Sequence, residues 1–184
     1  PQNPDLKPES MWNYEIAFSQ RLLGGSLSYG INLFYIDGEN LILRMPVDGR
    51  QMNVNTGRIE NAGVEAEIAY RISAAWSVDA NYSFLHMKNP VVAAPEHKLY
   101  VGGAFTYGDW MLSTGIQYID GLYMSVDPIE TENFVLWNLQ CRYRANKHLS
   151  VWARGENLLA QRYEINAGYP MPKATVMAGL NIHF

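Results

Sequence analysis

The side chains able to ligate metal or move protons are few and scattered. Four histidines stand at 86, 97, 148 and 183, with no second histidine at a ligand spacing. Glu65 and Glu67 lie two apart, on one side of an extended segment, but no nucleophile or base recurs beside them. The one cysteine, Cys141, has neither a neighbouring base nor a disulfide partner, and reads as a packed thiol. These residues predict no catalytic site, no metal site and no cofactor. The remaining candidates are ligand contacts. His86 and His97 flank an expected loop, while Met45, Met52, Arg50, Met124 and Met171 fall at or near other expected loops. Methionine offers adaptable apolar contact, although plain loop packing is the better account of such residues. Asn81-Tyr82-Ser83 fits a glycosylation sequon but falls inside an expected strand.

The segments that must position these residues are extended. Apolar residues alternate with polar ones along most of the chain, the period of a strand with one polar face. Trp12, Tyr14, Ile16 and Phe18 alternate with Asn13, Glu15, Ala17 and Ser19. Val64, Ala66, Ile68 and Tyr70 alternate with Glu65, Glu67, Ala69 and Arg71. Val135, Trp137, Leu139, Cys141 and Tyr143 oppose Leu136, Asn138, Gln140, Arg142 and Arg144. The pattern is mixed at 149–157, where Trp152 shares a side with Arg154 and Glu156. The longest alternating run is the last, 173–184. In all, the pattern predicts an all-β antiparallel up-and-down meander of about nine strands.

Connections alternate in length. Tight turns are expected at Leu23-Gly24-Gly25, Ser73-Ala74-Ala75, Gly108-Asp109 and Ala145-Asn146-Lys147-His148. The other connections are longer or join strands that overrun: the second and third strands are expected to extend around Pro46-Val47-Asp48-Gly49, and loops are expected at 88–96, 124–133 and 158–172. Tight turns on one side and long loops on the other are the asymmetry of outer-membrane barrels. Tyr70, Trp76, Tyr107, Trp110 and Tyr143 sit on the apolar side near the tight turns, as an interfacial girdle requires, and Phe184 ends the last run. The apolar sides should face outward, and Glu65, Glu67 and Arg142 should face the concave interior.

Composition agrees. The net charge of −4 excludes the basic stripe of a nucleic-acid binder. No run of about 18 apolar residues offers a membrane helix, but a barrel strand spans in about 9–11 alternating residues and leaves mean hydropathy near zero, as here. The chain opens Pro1-Gln2-Asn3, with no initiator Met or secretory leader, so a fragment of a longer chain is expected.

Four short motifs, in order, carry a resemblance. Asn3-Pro4-Asp5-Leu6-Lys7-Pro8-Glu9 precedes the first strand; Asn61-Ala62-Gly63-Val64-Glu65 and Pro95-Glu96-His97-Lys98 enter later ones; Glu156-Asn157-Leu158-Leu159, Arg162-Tyr163 and Tyr169-Pro170 precede the last. Together they resemble the C-terminal barrel of TonB-dependent outer-membrane receptors, with departures at Leu159, Ala160 and Lys173. The resemblance spans 1–184. It implies the last nine strands of a transmembrane barrel of about 22 strands, closed around an N-terminal plug. It further implies residence in the bacterial outer membrane, contact with its lipid, and coupling to TonB through a plug absent here. The ligand would be a scarce nutrient such as a ferric siderophore, haem or cobalamin. Phe184 resembles the terminal aromatic read by the barrel-assembly machinery. A passive porin-like barrel and a soluble β-sandwich for adhesion are the alternatives.

Overall fold

The structure, a computed structural model, describes residues 3–47 and 49–182. Nine strands form one sheet in sequence order, every neighbouring pair antiparallel. They are β1 (Ser10–Leu22), β2 (Leu27–Val47), β3 (Arg50–Arg71), β4 (Trp76–Met87), β5 (His97–Tyr107), β6 (Trp110–Val126), β7 (Ile129–Arg144), β8 (Leu149–Glu156) and β9 (Thr175–Ile182). Among the described residues there is no α-helix, only a single 3-10 turn at Leu23–Gly25.

Register carries one face across the whole sheet. Tyr29, Ile68, Ala80, Val101, Ile116 and Trp137 lie in one row of directly opposed residues. Nearer the tight turns, Trp76, Phe105, Leu112, Cys141, Ala153 and Ala178 form another. The opposite face is polar, with Asn32, Glu65, Ser83 and Lys98 in one row and Ser113, Gln140 and Arg154 in a second.

The apolar face has no protein over it. Ile16 is 73% exposed and Val176 is 76% exposed. Among the described residues the buried hydrophobics are Met87, Ile119, Leu122 and Phe134, all in the half of the sheet away from the tight turns. A soluble sandwich would bury its apolar face against a second sheet. This sheet instead offers it to a non-protein solvent, and water is not that solvent: fully exposed side chains of this size each forgo about 1.5–3 kcal/mol of burial.

Aromatic rows mark the borders of that solvent. At the tight-turn end Trp76 packs at a tilt against Phe105, with centroids 4.4 Å apart, and Trp110 against Tyr143 at 4.6 Å. At the other end the same face carries Tyr14, Tyr35, Phe84, His97, Tyr118 and Trp137. From Trp110 to Tyr118 the strand rises about 26 Å, or about 20 Å along the membrane normal at a tilt of about 40°. That approaches the ~25 Å apolar band of an outer-membrane barrel. Polar atoms within the band are satisfied locally. The Thr114 hydroxyl donates to the Asn138 carbonyl (3.0 Å) and accepts the Trp137 indole N–H (2.8 Å).

Turn lengths follow the expectation, with one correction. The tight turns and the 88–96 loop fall where expected, and the β8–β9 connection is the longest. The expected loop at 124–133 is not a loop. β6 and β7 continue to a two-residue tip at Asp127-Pro128. Register shifts between Ile119 and Leu122, and between Tyr123 and Ser125, move the side-chain phase, so alternation fails while pairing continues. The expected overrun of β2 and β3 is present: they stay paired past Asp37 out to Val47 and Arg50, adding roughly 35 Å of arm.

A cation placed on each face separates lipid from interior. Ile116→Arg is expected to destabilise the inserted protein by about 2–4 kcal/mol, and Gln117→Arg to leave it within about 0.5 kcal/mol. Denaturant titration of the vesicle-reconstituted full-length protein measures both; equal losses would contradict the assignment of faces.

Candidate functional site

Above the outer aromatic row the sheet enters water, and its regularity ends. The next outward position above Tyr35 and Ala62 holds Asp37 opposite Glu60. Two opposed carboxylates repel, and cations resolve it. Arg58 Nη2 lies 3.6 Å from Asp37, 3.7 Å from Glu39 and 3.8 Å from Glu60. Lys88 Nζ donates to Glu60 at 2.6 Å. That hydrogen bond and the Lys88 and Arg58 charges hold the Glu60 carboxyl below its usual range, against some desolvation. These pairs are exposed, so each stabilises weakly; their consequence is to mark where lipid gives way to solvent.

Asparagine amides brace the segments that leave the sheet. The Asn55 side chain accepts from the Lys7 N–H (2.7 Å) and donates to the Lys7 carbonyl (2.9 Å), pairing as a backbone would. It also donates to the Asn40 carbonyl at 2.6 Å. Glu9 accepts the Ile42 N–H at 2.8 Å, beside the register shift between Leu41 and Ile42. The Asn3–Glu9 box therefore runs along the β2–β3 arm and props it.

Asn157 does the same for the β8–β9 loop. It is 4% exposed, with a left-handed φ of 48°. Its backbone N–H donates to Asn138 Oδ1 at 3.0 Å. Its side chain accepts from the Gln161 N–H and donates to the Gln161 and Pro172 carbonyls. One amide thus pins both ends of the loop, which accounts for the Glu156-Asn157-Leu158 motif.

The loop folds over the polar face. Tyr163 packs at a tilt against Phe134, centroids 4.4 Å apart, and with Met124 and Leu136 covers the buried cluster of Ile119, Leu122 and Phe134. Phe134 lies in the row of Lys98 and Ile119, the interior row. Burial, and secondarily Glu156, raises the Tyr163 phenol above its ordinary value. Between loop and sheet is an open cleft of about 420 Å³ lined by Glu132, Arg162, Tyr163, Glu164, Met171 and Lys173.

The candidate contacts do not converge. His97 lies on the outward face, its Nδ1 2.8 Å from the Tyr82 hydroxyl and its ring 4.9 Å from that of Phe84. His86 is opposite Ala62, also on the outward face. Met45 and Arg50 lie on the β2–β3 arm, where the Met45 sulfur is 3.2 Å from the Thr56 hydroxyl. Met124 packs beneath the β8–β9 loop, and Met171 lines the cleft. His183 and Phe184 fall outside the described residues. Among the described residues no cluster of three or more potential ligands could hold a metal ion. Sequence reading did not single out Arg162, Lys173, Glu132 or Glu164 as a group. Glu132 stands 30 residues before Arg162, and only the inward fold of the loop brings it beside Arg162, Glu164 and Lys173.

A one-layer antiparallel meander with a lipid face, two aromatic borders and long arms on one side is the wall of an outer-membrane β-barrel. A family model described as TonB dependent receptor-like, beta-barrel, matches residues 1–158, and the chain belongs to that family. A curated ferric-pyoverdine receptor from a Pseudomonas strain is 24% identical, over 89% of this chain and 22% of that receptor. The siderophore receptor PiuA from Acinetobacter baumannii superposes with a TM-score of 0.84 at 18% identity, over 98% of this chain and 29% of that one. The ferric-catecholate import receptor Fiu from E. coli gives 0.76 at 24% identity, over 99% and 29%. The chain thus spans about a fifth of the curated relative and about three tenths of these solved receptors.

The Asn157 clamp is separable from the wall. Asn157→Gly keeps the left-handed backbone accessible and removes the side-chain bonds, so loop 158–172 is expected to lose about 1–3 kcal/mol of local stability. Amide exchange should quicken there and stay unchanged in β6 and β7; unchanged loop exchange would refute the clamp.

Proposed function

We propose that this chain is the C-terminal wall and outer-loop region of a TonB-dependent receptor that imports a ferric siderophore, within a barrel of about 22 strands closed around an N-terminal plug. The observation that carries the reading is the family match over residues 1–158 on a sheet whose apolar face is continuous. Two further points support it. β1 and β9 are the two edges of the sheet, and edges of this kind are not stable in hydrocarbon, so further strands are required to close it. The relatives named above include receptors for ferric pyoverdine and for ferric catecholates.

In this reading the ligand enters from the side of the long arms. Met45 and Arg50 stand on the β2–β3 arm where an approaching ligand meets it, and His86, His97 and Met124 flank the outer segments. TonB acts through the plug, on which this segment forms the surrounding wall. Haem and cobalamin are the other cargoes to be compared. Deletion of the full-length gene should abolish uptake of radioactive iron supplied as ferric pyoverdine or a ferric catecholate, and loss of TonB should do the same. Uptake that persists in the deletion strain for every chelate, haem and cobalamin would overturn the reading.

The final strand is proposed to serve also as the assembly signal, through Phe184. Its motivation is the long alternating run 173–184 that ends in an aromatic. An open amphipathic edge can be engaged by strand addition. Phe184→Ala is expected to lower outer-membrane abundance while the inserted fraction keeps its heat-modifiable migration. Normal abundance with a lowered melting temperature would leave Phe184 as a girdle residue only.

A further inference from the structure

The tight turns 108–109 and 145–148 frame an open cleft of about 340 Å³ at the lip of the interior face. Thr106, Met111 and Arg142 lie opposed in one row of its wall, and Arg144 and Ser150 are opposed in the next. Asn146 and Lys147 line it from the turn. On the lipid face the girdle pair Trp110 and Tyr143 holds the row between these two. The cleft therefore opens at the level of the phospholipid headgroups, on the side of the tight turns, which in an outer-membrane barrel is the periplasm.

Cations without an ion pair are common among the described residues, Arg21, Arg71 and Lys98 included, so a missing partner marks nothing by itself. Convergence and one buried hydroxyl mark this cleft. Three cations, Arg142, Arg144 and Lys147, line it beside a single carboxylate, Asp109. Asp109 Oδ1 is taken by Arg144, 2.9 Å from Nη2 and 3.0 Å from Nε, so the charges of Arg142 and Lys147 stay uncompensated. Ser150 is 8% exposed, and its hydroxyl makes no hydrogen bond among the described residues. A hydroxyl placed so deeply costs free energy until a partner reaches it, and the cleft that Ser150 lines is the open approach. The frame is fixed. Asn146 Oδ1 accepts the His148 N–H at 2.8 Å and the Leu149 N–H at 3.0 Å, and the Arg144 N–H donates to the Asp109 carbonyl at 2.9 Å. The Asn146 side-chain amide keeps its own donors uncommitted among the described residues.

We infer that this cleft binds a phosphate group, held by Arg142 and Lys147, with the Ser150 and Thr106 hydroxyls and the Asn146 amide as further donors. Tetrahedral phosphate oxygens take donors from several directions at once, and a guanidinium fork, an ammonium and hydroxyls supply them. A planar carboxylate is satisfied by one fork alone. The same chemistry serves two sources, the headgroup of an anionic phospholipid in the adjoining leaflet and a soluble phosphate of the periplasm. The site stands at the opposite end of the wall from the long arms, and it is independent of the cargo.

The test uses the full-length receptor, stripped of lipid in a non-ionic detergent. It is titrated with phosphatidylglycerol, followed by native mass spectrometry, and with sodium phosphate at constant ionic strength, followed by calorimetry. The wild type is expected to bind at least one of the two probes, and its preference identifies the source. Arg142→Gln with Lys147→Gln should weaken that probe at least about tenfold. Ser150→Ala should weaken it about fivefold, the loss of one hydrogen bond. Arg142→Lys with Lys147→Arg should retain most of the affinity, which separates charge from folding, and heat-modifiable migration checks that each variant is a folded barrel. Unchanged binding in the double Gln variant would overturn the site, since the phosphate would then sit on other cations such as Arg21 and Arg71. Equal losses in the Gln and the charge-conserving variants would overturn it as well, and so would a wild-type receptor that binds neither probe. Each of these results leaves the uptake reading where it stands.

Discussion

Hydrocarbon offers no partner to a backbone N–H or C=O, and this one constraint organises the molecule. Each unpaired group would cost several kcal/mol in the bilayer, so strands must pair without interruption across the apolar band. The sheet complies. Between the two aromatic borders the pairing of β1 through β7 runs residue against residue. Sequence neighbours are spatial neighbours because a tight turn closes one end with few exposed groups. Polar side chains facing lipid find partners close by: the Thr114 hydroxyl with the Trp137 indole and the backbone, and the Tyr29 hydroxyl with Gln20.

Where water returns, the constraint lifts and the architecture changes. The register shifts at Gly38, Leu41 and Ile42, and those at Ile119 to Ser125, all lie beyond the outer aromatic row. A displaced N–H can be met there by a side chain, and asparagine amides take that part repeatedly. Asn133 accepts the Gly121 N–H at 2.9 Å, Asn138 the Asn157 N–H, and Asn55 the Lys7 N–H. An amide presents the donor and acceptor of a peptide group on a short stem, so it can continue a ladder where the backbone has turned away. The long arms and the inward-folded loop depend on these substitutes. Selection of a ligand is expected in this region, because here the fold can vary without exposing backbone to lipid.

The interior face follows a third rule. Aromatics there lie across glycines of neighbouring strands. A Cβ on Gly115 would stand 2.7 Å from the Tyr100 ring, and one on Gly179 would stand 2.7 Å from the Trp152 indole. Glycine at these points leaves room for the ring to lie flat and cover backbone. This explains Trp152, whose position among Arg154 and Glu156 broke the alternation of that segment. It belongs to the interior face with them, and Gly179 receives it.

Much of this was legible in the residues themselves. Alternation fixes which side chains share a face, because a strand has a period of two and a slip of one residue would turn every apolar group inward. The tight turns, the girdle of Trp76, Trp110 and Tyr143, and the family motifs were all readable from local order. What lay beyond local order was set by the tertiary structure. It carried β6 and β7 past residues 124–133, since bulges hide pairing from any periodic pattern. It turned His97 outward against Tyr82 and Phe84, and it folded the β8–β9 loop inward to bring Arg162 and Lys173 beside Glu132. Those contacts join residues tens of positions apart. They exist because Asn157 and Tyr163 find partners on neighbouring strands, and no spacing along the chain encodes that meeting.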